Sequence, residues 1–142
     1  MKSIGKMSQS ELAAFIQDTL QAEGVTVVLS GGSAVSFYSG NKYVSKDLDL
    51  INTGFAKRRQ IKSVMARIGF EEKGRYFINP ATKYFVEFPD GPLSVGEEPV
   101  KEVNEFELAT GILRALSPTD CVKDRYARFI FRMISRDWHR QF

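Results

Sequence analysis

Apolar positions along this chain change period from segment to segment, and each change predicts an element. Leu12, Phe15, Ile16 and Leu20 recur at helical spacing behind Ser8 and Glu11, which stand in capping-box order, so a first helix is predicted that stops at Gly24. Residues 25–29 form a short β-branched run that reads as a strand buried on both faces. After Gly31 and Gly32, a short helix is predicted through Ala34, Val35, Phe37 and Tyr38, ended by Gly40 and Asn41. A second strand covers residues 46–51, and a further helix follows with Ile61, Val64, Met65 and Ile68 inward and Gly69 at its end.

Beyond that helix the period returns to two. Residues 75–79 and 83–88 read as a hairpin about the turn Pro80-Ala81-Thr82, with Tyr84, Val86 and Phe88 on one face and Phe85 and Glu87 on the other. Residues 89–99, rich in proline and glycine, are expected to be an irregular loop, and residues 106–108 and 112–116 to be short strands. Ser117-Pro118-Thr119-Asp120 marks a helix start, and the helix is expected to bury Tyr126, Phe129, Ile130, Met133 and Ile134. Arg128, Arg132, Arg136 and Arg140, spaced by four, form a basic stripe beside that face; a solvated surface or an acidic partner or RNA backbone explains it. Mixed strands and helices in this order predict an α/β or α+β two-layer architecture.

Composition narrows the possibilities. At 142 residues, residues 1–142 are expected to form one domain, and 43% hydrophobic with 26% charged residues is the balance of a soluble globular protein. No apolar run approaches the ~20 residues of a membrane span, and residues 1–10 lack the apolar segment of a secretory signal, so no membrane association and a cytoplasmic location are expected. The lone Cys121 excludes an internal disulfide and a cysteine-based zinc site, and the lone His139 excludes histidine-rich metal clusters and a hydrolase triad. Any metal chemistry must use oxygen ligands. Residues 1–41, 42–82, 83–120 and 121–142 carry net charges of −1, +5, −5 and +4, so basic groups gather around the second strand and in the tail.

Candidate chemistry lies in Val27-Val28-Leu29-Ser30-Gly31-Gly32-Ser33-Ala34 and in Lys46-Asp47-Leu48-Asp49-Leu50. Backbone amides of a Gly-Gly-Ser turn at a helix start approach phosphate oxygens closely, since no Cβ blocks them and the helix dipole favours negative charge. Asp47 and Asp49, two apart on a strand, point to the same side and suit a magnesium ion. Glu87 is a carboxylate within a strand of aromatic and β-branched neighbours, a placement better explained by a site than by packing.

Gly-Gly-Ser after the first strand, Asp-x-Asp in the second and a third carboxylate in a later strand resemble the nucleotidyltransferase fold of DNA polymerase β-like enzymes. More narrowly, residues 29–38, 46–50 and 86–93 and Leu116-Ser117-Pro118-Thr119-Asp120-Cys121-Val122-Lys123-Asp124-Arg125 are similar to the minimal nucleotidyltransferase-like proteins of toxin-antitoxin and abortive-infection systems. The resemblance covers residues 25–125 and implies a mixed sheet flanked by helices. It implies that Gly31, Gly32 and Ser33 grip the phosphates of a nucleoside triphosphate, with the Ser33 hydroxyl on the terminal phosphate. By the same resemblance Asp47, Asp49 and Glu87 are the catalytic and metal-binding carboxylates, holding two Mg2+ ions for displacement at the α-phosphate.

The chain also departs from the pattern. Glu87 stands where aspartate is commoner, and related proteins continue into further helical structure where this chain reaches Phe142. The acceptor is then expected to be small, or a partner completes the site, or catalysis has lapsed. Two functions follow from the resemblance: nucleotidyl transfer to a hydroxyl acceptor such as an RNA, or a non-catalytic antitoxin-like module that neutralises a protein toxin.

Overall fold

In the computed structural model, residues 2–40, 46–91, 94–95, 98–99 and 103–120 are described. A 3-10 turn, Ile4–Lys6, precedes α1 (Gln9–Gln21), which is followed by β1 (Val27–Ser30), α2 (Gly31–Tyr38), β2 (Asp47–Asn52) and α3 (Arg58–Arg67). Then come β3 (Glu71–Lys73), β4 (Tyr76–Ile78), β5 (Phe85–Glu87), β6 (Ser94–Val95), β7 (Glu98–Pro99), β8 (Val103–Leu108) and β9 (Gly111–Leu116).

The predicted signals of α1 are realised bond by bond. Ser8 Oγ accepts from the Glu11 N–H at 3.2 Å while Glu11 Oε1 accepts from the Ser8 N–H at 3.0 Å. The Lys2 ammonium lies 2.9 Å from the same carboxylate, and the Ser8 amide and Lys2 together hold Glu11 below its ordinary carboxylate value. At the other end Gly24 adopts φ 77°, its N–H donates to the Gln21 carbonyl at 3.0 Å, and the Val25 N–H donates to the Leu20 carbonyl at 2.9 Å. These are the two bonds of a Schellman turn.

The described residues form a seven-stranded sheet in the order β3-β4-β5-β2-β1-β9-β8. β1 pairs antiparallel with β2 and parallel with β9, β2 pairs parallel with β5, and the outer pairs β3–β4, β4–β5 and β8–β9 are antiparallel. The β1–β9 contact has a single register pair, Leu29 with Ala115. Gln17 reinforces it from α1: its amide donates to the carbonyls of Val27 at 3.2 Å and Arg114 at 2.8 Å, and its oxygen accepts from the Arg114 N–H at 2.9 Å. One core gathers Leu12, Ile16 and Leu20 of α1, Ile61 and Met65 of α3, and the inward residues of the sheet, among them Leu29, Leu48, Leu50, Phe77, Val86 and Leu113. This is the mixed α/β architecture the pattern predicts, a mixed sheet flanked by helices.

Several boundaries differ from expectation. β1 begins at Val27 rather than residue 25 and includes Ser30, and β8 reaches back to Val103. β3 has no apolar alternation to announce it: Glu71, Glu72 and Lys73 form a charged edge strand, tied to β4 across Gly74, which sits at φ 63°. Part of the expected loop 89–99 is ordered as the two-residue ladder of β6 and β7. The helix start after Ser117 is present over 118–120, where Ser117 Oγ accepts from the Asp120 N–H at 3.1 Å and donates to the Asp120 carboxylate at 3.0 Å. The remainder of that helix, with its apolar face, its arginine stripe, Cys121 and His139, lies outside the described residues. No helix among the described residues is long and apolar enough to cross a membrane.

Candidate active site

The last residue of β1, Ser30, is also the residue before α2, so strand and helix join with no intervening loop. That junction needs a left-handed residue, and Gly31 supplies it at φ 62°. A Cβ at Gly31 would collide with Oδ2 of Asp49, which places the Asp49 carboxylate directly on the start of α2. Two serines hold this arrangement. Ser33 Oγ donates to the Ser30 carbonyl at 2.8 Å and accepts from the Asp49 N–H at 3.3 Å, and Ser30 Oγ donates to the Asp49 carbonyl at 3.5 Å. Ser33 is buried, and its hydroxyl proton is given to the Ser30 carbonyl. Its role is to fasten α2 to β2. Ser30 makes no side-chain cap bond to the helix it precedes.

Sheet register gathers the three carboxylates. Asp49 is the cross-strand partner of Glu87, Asp47 that of Phe85, and Ser30 that of Asp49. Because side chains alternate along a strand, Asp47, Asp49, Phe85 and Glu87 share one face while Leu48, Leu50 and Val86 enter the core on the other. The face split expected for residues 84–88 is therefore the one found. All three carboxylate residues are partly exposed.

The side chains then diverge. Asp49 turns onto Gly31, and the Glu87 carboxylate lies 3.8 Å from the guanidinium of Arg75. Among the described residues, no group of three or more His, Cys, Asp or Glu side chains lies close enough to hold one metal ion. In kind the donor set suits magnesium, since all three are hard carboxylate oxygens and the glycine cradle leaves room for the nearest of them. Adjacent anions repel, and the Glu87 carboxylate has a compensating charge in Arg75.

Arg75 escapes the sequence reading. It follows Gly74 in the β3–β4 turn, donates from Nη2 to the Tyr76 hydroxyl at 2.7 Å, and lies 4.9 Å from the centre of that ring. Tyr76 first, then Glu87 and Asp47, push its guanidinium above the ordinary value. The only signals were the basic excess of residues 42–82 and a glycine turn ahead of an aromatic strand.

On the same face, Asp47, Lys73, Tyr76, Ile78 and Phe85 line an open cavity of about 420 Å³. Phe85 is 42% exposed, and the Tyr76 and Phe85 rings are 5.9 Å apart at a tilt of 44°. The cavity thus adjoins the carboxylate row through Asp47.

No protein-family model matches the sequence, and no curated protein matches it significantly. Solved structures do share its fold. An antigenic nucleotidyltransferase-like protein from Paracoccidioides brasiliensis superposes with a TM-score of 0.57 at 14% identity over 80% of this chain, which spans 62% of that protein's length. ANT(2″)-Ia, solved in complex with adenylyl-2″-tobramycin, superposes with a TM-score of 0.51 at 15% identity, over 80% of this chain and 71% of that one. The fold is nucleotidyltransferase-like.

Proposed function

We propose that this chain is a magnesium-dependent nucleotidyltransferase that binds a nucleoside triphosphate and passes its nucleotidyl group to a hydroxyl acceptor. The observation that carries the reading is the pairing of Asp49 with Glu87, two residues from Asp47 on one sheet face, at the glycine-started end of α2. The nucleotidyltransferase-like fold supports it.

In this reading the backbone N–H groups of Gly31 and Gly32 receive phosphate oxygens at the helix start. Asp47, Asp49 and Glu87 would hold the metal once their side chains turned toward one ion. Magnesium held there would neutralise charge on the triphosphate and on the oxygens that react. Glu87 takes the proton of the acceptor hydroxyl as its oxygen forms a bond to the α-phosphorus. The bond from that phosphorus to the bridging oxygen breaks, and pyrophosphate leaves with the electron pair. Arg75 balances Glu87 and Asp47, which lowers the cost of keeping anions on one face.

Thermal unfolding with each triphosphate, with and without magnesium, tests the binding step, since a ligand of the native state raises the transition temperature by mass action. A shift is expected only when both are present. Asp47→Asn with Asp49→Asn should abolish it and leave the protein folded, because both side chains are partly exposed. Labelled triphosphate, magnesium and cell extract should yield a labelled acceptor, with the double variant reduced by more than about a hundredfold, as losing direct ligands exceeds the loss of outer-shell partners. Equal shifts in both proteins and no labelled acceptor would overturn the reading in favour of a non-catalytic module that binds a protein such as a toxin.

A further inference from the structure

We infer that the cavity beside Asp47 receives the acceptor, and that this acceptor is a small hydroxylated aromatic acid rather than a polycationic sugar. The inference rests on the nucleotidyl-transfer reading and adds the substrate class. Three of the five lining residues, Tyr76, Ile78 and Phe85, are apolar or aromatic and lie on the carboxylate face, and Phe85 keeps 42% of its surface exposed. An exposed aromatic beside a tilted second ring is a stacking surface for a planar ligand. The cavity volume of about 420 Å³ falls within the range of small-molecule sites.

Charge is distributed along the cavity in a way that orients such a ligand. Lys73 on β3 and Asp47 on β2 are three strands apart in the sheet order, roughly 14 Å across at a strand spacing of about 4.8 Å, and the register that sets Lys73 level with Asp49 puts Asp47 two residues further along its strand. Both residues line the cavity with Tyr76 and Phe85 between them, so a planar ligand seated on those rings has a cation toward one end and a carboxylate toward the other. The anionic group meets Lys73, and the hydroxyl meets Asp47, next to the carboxylates that activate it. Arg75 in the adjoining turn is a second cation close to the lining residue Tyr76, its guanidinium 4.9 Å from the centre of that ring. A ligand carrying several ammonium groups would face Lys73 and Arg75 with like charge.

The test uses the full chain in chelator with no triphosphate present, so it is independent of metal and nucleotide binding. Three probes are titrated while the Tyr76, Ile78 and Phe85 side-chain resonances are followed: 4-hydroxybenzoate, tyramine, and 4-hydroxycyclohexanecarboxylate. 4-Hydroxybenzoate is expected to shift all three and to bind at least about fivefold more tightly than either of the others, the first contrast reporting charge and the second ring stacking. Phe85→Ala should weaken it by about the same factor, and Lys73→Gln should remove its advantage over tyramine; unchanged unfolding temperatures show that both variants are folded. Tyramine binding as tightly, the saturated ring binding as tightly, or no shift at these residues would each overturn the assignment. Ring binding that survives while the magnesium-dependent triphosphate shift is absent would sink nucleotidyl transfer instead, so the two failures are separable.

Discussion

Gly31 is the residue on which the site turns, because two independent constraints meet there. Its φ of 62° is left-handed, which costs an L-residue about 1–2 kcal/mol, and its α-carbon carries the Asp49 carboxylate against it. Gly31→Ala should therefore destabilise the protein by about 2 kcal/mol or more by denaturant titration. Adding Asp49→Gly should return only the steric part, and a single variant as stable as the parent would show that the contact is not made. Ser33 makes the complementary case. Ser33→Ala removes the bonds to the Ser30 carbonyl and the Asp49 N–H, so a loss of about 0.5–1.5 kcal/mol is expected, with faster exchange of the Asp49 amide. A phosphate-binding hydroxyl would behave differently, weakening triphosphate binding while leaving stability alone. The bonds of Ser33 to Ser30 and Asp49 were not legible in the sequence, since a residue-type pattern records that a hydroxyl is wanted but not which way its proton points.

Among the elements, α1 was the most legible, for its whole signal is local: Ser8 and Glu11 at one end, Gly24 at the other and helical spacing between. The same cap makes it sensitive to acid. Glu11 is held below its ordinary value of 4.5 by the Ser8 amide and by Lys2, and Glu72 is lowered by Arg58 and then Lys62. Carboxylates with lowered folded-state values contribute stability that is complete above the unfolded value and disappears as pH falls through the folded one. Amide protection in the first turn of α1 should accordingly decline below about pH 4.3, and Glu11→Gln should flatten that decline; an unchanged pH profile in the variant would refute the linkage. β3 was illegible for the opposite reason, because an edge strand of Glu71, Glu72 and Lys73 is defined by its pairing partner and carries no hydrophobic period of its own. β2 and β5 lie between these extremes. Their alternation revealed which face Asp47, Asp49 and Glu87 share, whereas the parallel pairing that sets Asp49 against Glu87 joins residues 38 apart, a distance over which local pattern is silent. Arg75 was missed because it reaches Glu87 only through the register of β4 with β5, which sets Tyr76 opposite Glu87, and Asp47 only through the further pairing of β5 with β2.

Across the whole molecule, the sheet is held between its fifth and sixth strands by a narrow joint. β1 and β9 share one register pair, and Gln17 supplies three hydrogen bonds across the same boundary from α1. Gln17→Ala should cost about 1–3 kcal/mol, since it unsatisfies buried backbone groups, and should accelerate exchange at the Arg114 amide ahead of global unfolding. Exchange at Arg114 no faster than in the parent would place the strength of the joint elsewhere. At the other end of the sheet, labour is divided. The carboxylates sit on β2 and β5, braced by β1 and α2, while Lys73, Tyr76 and Ile78 come from the β3–β4 hairpin at the rim, whose two strands are only three residues each. Evolution or a designer could therefore exchange the hairpin as a cassette, retuning what the pocket admits without touching the inner strands that carry the carboxylates, so that a lineage could diversify its substrates at little risk to its chemistry.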